Sequence, residues 1–349
     1  TGTYSTSLTA PSALACTVCP SGTYGTGTGQ PTSAACLSCA TGTFAAVAGV
    51  STCQGCPAGQ YGTATGATIC TLCAQGLYET GTGAVSSAAC LSCSAGTYGT
   101  GTGSPDSGAC TLCGAGLYST GLAQNSALQC QACGAGTYQT GLGATLSSAC
   151  QSCIAGTYQT GTGIQASASC QSCQAGSYST ALGVTASSTC ALCIAGTFST
   201  TLGMQTSSTC QSCLSGTYGT GTGATSMAAC TLCPAGLYST SFALPSSAGC
   251  LACSAGTYGT GTGFISSGLC TLCAAGTYST SLGLQSSLGC QLCAAGTYST
   301  GLGIPALSGC SLCGAGKYST TLGAQASLVC LGCSAGTYGT GTGFPASAS

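Results

Sequence analysis

Apolar and polar positions along this chain repeat as a single phrase of 20 residues. CTLCAAGTYSTSLGLQSSLGC, from Cys270 to Cys290, carries nearly all of it. Two cysteines three positions apart lead into small residues, a Gly, a polar residue and an aromatic. A polar run of Ser, Thr and Gly with isolated apolar residues then leads to the next cysteine pair. No apolar pattern recurs at three and four residues and Gly is scattered throughout, which argues against helix. The stretch T-Y-G-T-G-T-G predicts a short extended segment. In it Thr100 and Thr102 share one face, and Gly99, Gly101 and Gly103 the other. The Gly before each aromatic is predicted to take positive φ or to let another backbone approach closely. The aromatic is the largest side chain in the phrase. It is expected to fill a small core, its ring covering a disulfide, and not to form a binding ladder.

All 34 cysteines fall into 17 C-x-x-C doublets, from Cys16/Cys19 to Cys330/Cys333. Successive doublets lie 20 residues apart, except that Cys36 to Cys53 and Cys53 to Cys70 are 17 apart. Eighteen G-x-[YF] sites, from Tyr4 to Tyr338, hold all 16 Tyr, and Phe44 and Phe198 fill the other two. A fixed period of this length marks a repeat array, so residues 1–349 read as one continuous array with two short repeats near 36–70. The chain starts and stops in mid-repeat, the expected form of a segment of a longer array or of one period of a head-to-tail assembly. Numbering repeats from Tyr4, the octet GTYGTGTG falls at repeats 2, 6, 12, 14 and 18, and G-L-Y at repeats 5, 7 and 13. This even/odd split predicts a 40-residue double period in which alternate repeats meet different surroundings.

Composition narrows the class further. Charged residues are 1 % of the chain, namely Lys317, Glu79 and Asp106, against about a quarter in an ordinary domain. Mean hydropathy is +0.44, so the chain does not resemble a charged disordered segment. A net charge of −1 leaves no basic face for nucleic acid. No apolar run is long enough to span a membrane. A 20-residue unit cannot bury a core of its own. Ordering it costs about 20–40 kcal/mol, while one disulfide closing such a loop contributes about 3 kcal/mol. Backbone hydrogen bonds and stacking between repeats must therefore supply most of the stability.

The doublets admit three chemistries. C-x2-C-x16-C-x2-C has the spacing of a four-thiolate zinc site. Repeated here it would leave roughly eight centres, each of about two negative charges, facing one Lys. Redox catalysis needs a thiolate stabilised by a helix N-terminus or a cation, and neither is at hand. Structural disulfides remain, in an oxidising compartment. Spacing alone leaves their connectivity open. The second Cys of a doublet could join the first of the next, or like could join like, as in Cys16–Cys36 with Cys19–Cys39. A bond inside a doublet would constrain the array least. No metal or other cofactor is expected. GTGTG lacks the Lys-Ser/Thr and the helix of a phosphate loop. There is no His, and the two carboxylates lie in different repeats, so no acid–base pair is available and no enzyme is expected. The single Asn, Asn125, is not in an N-glycosylation sequon.

The phrase C-x-A-G-T-Y…C-x-x-C resembles the cysteine-rich repeat of ephrin-receptor-like modules. The stretches at Cys56 to Cys70 and Cys233 to Cys250 are also similar to the first submodule of tumour-necrosis-factor-receptor repeats. In that submodule the Cys before G-x-Y bonds the Cys that ends the loop. Carried over, the resemblance implies Cys19–Cys36, Cys39–Cys53, Cys56–Cys70, Cys73–Cys90, Cys93–Cys110, Cys113–Cys130, Cys133–Cys150 and Cys153–Cys170. It continues with Cys173–Cys190, Cys193–Cys210, Cys213–Cys230, Cys233–Cys250, Cys253–Cys270, Cys273–Cys290, Cys293–Cys310 and Cys313–Cys330. Cys16 and Cys333 are left over. The match covers essentially the whole chain, but receptor modules carry charged loops and this chain has almost none. Together these readings predict a small, disulfide-rich, β or irregular fold, an elongated solenoid or rod of about eighteen repeats with little or no helix.

A chain this poor in charge should aggregate unless its surface is covered. O-glycosylation is one cover, with the paired threonines of the octet as candidate sites: Thr26/Thr28, Thr100/Thr102, Thr220/Thr222, Thr260/Thr262 and Thr340/Thr342. Self-association into filaments is another. The expected role is an extracellular structural protein of a filament, hair, wall or surface coat. The resemblance extends to surface proteins of single-celled eukaryotes, including flagellar hairs (mastigonemes). A receptor-like or adhesive ectodomain is the alternative.

Overall fold

The computed structural model describes residues 1–6, 16–29, 31–335 and 337–347. Among the described residues there is no α-helix. The regular elements are strands of two residues and 3-10 turns of three. Contacts divide the chain into two compact units. One comprises Thr1–Ile154, Tyr158–Gln171 and Leu182–Ala186. The other comprises Ala155–Thr157, Ser172–Ala181 and Ser187–Ser349. Both are built from the same repeat.

The strand at each G-x-[YF] site is two residues long, such as Thr97–Tyr98. It pairs antiparallel with the two residues inside the following doublet, Thr97 opposite Leu112 and Tyr98 opposite Thr111. The other edge forms single parallel bridges to the next repeat, as Tyr78 to Ser104 and Tyr118 to Ala144. Backbone bonds join consecutive repeats, four of them at the step from Tyr98 to Tyr118. Gly96 N–H donates to Ser119 O at 2.8 Å and Gly99 N–H to Gln124 O at 2.8 Å. Cys113 N–H donates to Gly96 O at 2.8 Å and Ala123 N–H to Cys93 O at 2.9 Å. These bonds answer the polar demand of backbone that a 20-residue unit cannot satisfy alone.

Two glycine positions set this geometry. Gly96, before the strand, has φ 79°, and a Cβ there would lie 2.3 Å from Gly143 O. Positive φ and close approach, the two expected reasons for that glycine, therefore hold together. Gly143 belongs to the next repeat but one, so each repeat touches its second neighbour as well as its first. The second position lies five residues after the aromatic. Gly103 there has φ 66°, and Ala123 and Ala243 hold the same left-handed backbone at 54° and 56°.

Two expectations are corrected. The octet is not one extended segment. Only its Thr-Tyr pair is strand, and the chain bends at residues 102–103, because the left-handed Gly turns it back toward the next doublet. The aromatics are not the buried filling either. Most tyrosines are half-buried and Tyr338 is 86 % exposed, while Phe198 is buried at 7 %. The fully buried side chains are the second cysteines of the doublets, such as Cys39, Cys113 and Cys233, each 0 % exposed. A hairpin two residues long is too thin to enclose a phenol ring, but it closes over sulfur.

Candidate functional site

The structure joins the second Cys of each doublet to the first Cys of the next, sixteen times from Cys19–Cys36 to Cys313–Cys330. Fourteen of these close a separation of 17 residues. Cys39–Cys53 and Cys56–Cys70 close one of 14. Each of the fifteen doublets from Cys36/Cys39 to Cys310/Cys313 thus holds one sulfur from each of two successive loops, bridged by the two residues of the paired strand. The spine is covalent along its length and is laced by the inter-repeat backbone bonds. Cys16 and Cys333 carry free thiols. With the other thiols spent in disulfides, no group of three His, Cys, Asp or Glu side chains that could hold a metal occurs among the described residues. No helix among them is long and apolar enough to cross a membrane.

The position after each aromatic packs directly on this spine. A Cβ on Gly99 would stand 3.2 Å from Cys93 Sγ and 3.4 Å from Gly76 Cα. Where the residue is larger, the side chain folds back on the next turn. Glu79, 9 % exposed, accepts from Gly81 N–H at 2.7 Å, and Gln139 from Gly141 N–H at 2.9 Å. The other carboxylate, Asp106, caps a 3-10 turn, accepting from Gly108 N–H at 2.8 Å, and Lys317 is exposed in a strand.

The threonines separate into two kinds. In G-T-Y the hydroxyl is used by the fold: Thr97 Oγ1 donates to Ser94 O and Thr137 Oγ1 to Gly134 O, both at 2.7 Å. The ten octet candidates, Thr26, Thr28, Thr100, Thr102, Thr220, Thr222, Thr260, Thr262, Thr340 and Thr342, are all exposed. None of their hydroxyls forms a hydrogen bond among the described residues.

Sequence reasoning missed the 3-10 turn that, among the described residues, precedes the first Cys at the end of each 20-residue loop, as at Ser107–Ala109 and Ala127–Gln129. A capping signal was present in Asp106 and in Ser126, whose capping box is completed by Gln129. The turns bury no residues, and some expose leucine almost fully: Leu128 94 %, Leu288 93 % and Leu328 90 %. The two 17-residue repeats lack the turn. The first of them carries a cleft of about 350 Å³ lined by Phe44, Val47 and Val50 among others, and 20-residue repeats carry clefts too, such as the one lined by Ala294, Leu307 and Leu312.

The family described as tyrosine-protein kinase ephrin type A/B receptor-like matches residues 25–69. That span includes both short repeats. No curated protein matches the chain.

Proposed function

We propose that this cysteine-rich repeat array, matched at residues 25–69 by the ephrin-receptor-like family, serves as an extracellular structural protein, building or coating a filament, hair, wall or surface layer. The observation that carries this reading is the spine. Disulfides between successive doublets and recurring backbone bonds between repeats give a chain whose repeats cannot separate without breaking covalent or laddered contacts. Sixteen disulfides suit an oxidising compartment. Catalysis has no support in the residues, because the charged side chains hold local turns or face solvent. Self-association is the second element of the proposal. A chain with three charged residues, one of them buried, does not repel a second copy, and Leu128, Leu288 and Leu328 are available to bury. Flagellar-hair-like assemblies fit this description by resemblance alone. O-linked sugar on the octet threonines is the third element, since those hydroxyls are exposed and unused.

Electron imaging of the native material at low dose tests the proposal. Uniform fibres with an axial repeat that the array can account for are expected. Isolated, flexible monomers at working concentration would overturn it. A receptor-like or adhesive ectodomain is a second reading, favoured by the matched span and by the uncharged cleft inside it. It requires a ligand that loses affinity when Phe44 and Val50 are replaced, with the 20-residue repeats left intact.

A further inference from the structure

One exposed position in the repeat stays constant while its neighbours vary. The residue two after the aromatic is Thr in 17 of 18 repeats, and Ala46 is the exception. All seventeen are exposed, and none of their hydroxyls forms a hydrogen bond among the described residues. The positions on either side are explained by the fold. The preceding residue varies among Gly, Ser, Ala, Glu and Gln but is buried against the spine in most repeats, and among the described residues the one three later, Gly or in two repeats Ala, takes positive φ. The threonine itself has no such duty. The next residue wanders among Gly, Ser, Ala, Thr and Val in the described repeats, and the one after it among Thr, Leu, Ala and Phe.

A second observation points to what covers it. Two residues beyond this threonine many repeats expose a large apolar side chain, as Leu142 at 65 %, Leu202 at 64 %, Phe242 at 62 % and Leu282 at 67 %. Exposed apolar side chains recurring in a chain of three charges are an aggregation hazard. A bulky, solvated group fixed two residues away would shield them.

We propose that the threonine two after the aromatic, in the 17 repeats that have it and not only in the octets, carries an O-linked sugar, which shields the apolar residue two positions further on where the repeat has one. The acceptor is Thr Oγ1 and the co-substrate is a sugar linked through C1 to a phosphate. Transfer forms the Oγ1–C1 bond and breaks the bond from C1 to the phosphate oxygen. The hydroxyl proton passes to a base of the transferase, and nothing is oxidised or reduced. The threonine of G-T-Y is not an acceptor, because its hydroxyl is already donated to a carbonyl, as in Thr277 to Ala274 O at 2.7 Å. This assignment rests on the extracellular reading above.

The test is glycopeptide mapping of protein from its native source, with fragmentation that keeps the sugar attached. Sugar is expected on Thr120, Thr140, Thr180 and Thr280, all outside the octets, and not on Thr277. Chemical removal of the sugar should then increase binding of a hydrophobic dye several-fold. Thr280→Val, which keeps the shape and lacks the hydroxyl, should lose one glycan, while Thr280→Ser keeps it and Thr277→Val changes no glycan mass. An intact mass equal to the bare polypeptide, or sugar confined to other residues, overturns the assignment. Ordered fibres of unmodified chain would sink the sugar and leave the structural reading standing. Glycosylated, isolated monomers would do the reverse.

Discussion

The two 17-residue repeats and the 20-residue repeats share a scaffold and differ by one removable part. In the long form seven positions separate the left-handed glycine from the next Cys, as Gly103 from Cys110. In the short form four do, as Gly49 from Cys53. The missing three are the 3-10 turn. The glycine contacts and the disulfide geometry coincide. Gly42 N–H donates to Gly62 O at 2.8 Å as Gly96 does to Ser119. A Cβ on Gly42 would lie 2.3 Å from Gly83 O, as one on Gly96 would from Gly143 O. The Cα separations are 5.7 Å in Cys39–Cys53 and 5.7 Å in Cys93–Cys110. Gly, Cys and the strand pair therefore make the repeat, and the turn is an exposed addition. The family match falls on the region that includes the shorter version.

The largest expected effect would show that the scaffold is common to both. Gly42→Ala and Gly136→Ala each place a methyl about 2 Å from a carbonyl oxygen, on backbone that disfavours any side chain. Each should cost about 3 kcal/mol or more in local stability, read by amide hydrogen exchange. A loss in only one class would separate the two scaffolds. Next comes the crosslink. Removing both cysteines of Cys113–Cys130 should cost about 3 kcal/mol locally, and removing Cys39–Cys53 nearly the same, because closure entropy changes slowly with loop length. A strongly length-dependent loss would contradict that equivalence.

A smaller effect is expected from deleting Ser147–Ala149, which converts a 20-residue repeat into a 17-residue one. The deleted turn buries no residues, so the change should stay within about 1 kcal/mol with the disulfide retained. Scrambling of Cys133–Cys150 would show that the turn guides pairing. The smallest effect is a gain. Ala123→Gly relieves a left-handed backbone at φ 54°, where the short repeats already have Gly49 and Gly66, and should stabilise by about 1 kcal/mol. The same exchange experiment reads it.

These contrasts also show which features could be read from sequence. The glycine before the aromatic announced both positive φ and close approach, because only glycine tolerates either at a fixed phase. The lack of a three–four apolar period announced the absence of α-helix. The cysteine spacing left several pairings open, because it does not say which sulfurs face each other. Bending of the octet at Gly103 was hidden, since alternating Gly and Thr suits a strand as well as a turn. Burial of tyrosine was overestimated for want of a length for the hairpin. Sequence shows the aromatic but not that only two residues pair around it. The threonine that bonds Ser94 and the threonine three residues later, Thr100, are chemically alike, and only the fold tells them apart.

A disulfide map of the unreduced protein tests the central claim most directly. Digestion and mass spectrometry should return peptides linking the second Cys of each doublet to the first of the next, at separations of 17 residues and, at Cys39–Cys53 and Cys56–Cys70, of 14. Links inside doublets, links of like to like such as Cys16–Cys36, or a majority of free thiols would contradict the spine and the structural role that rests on it.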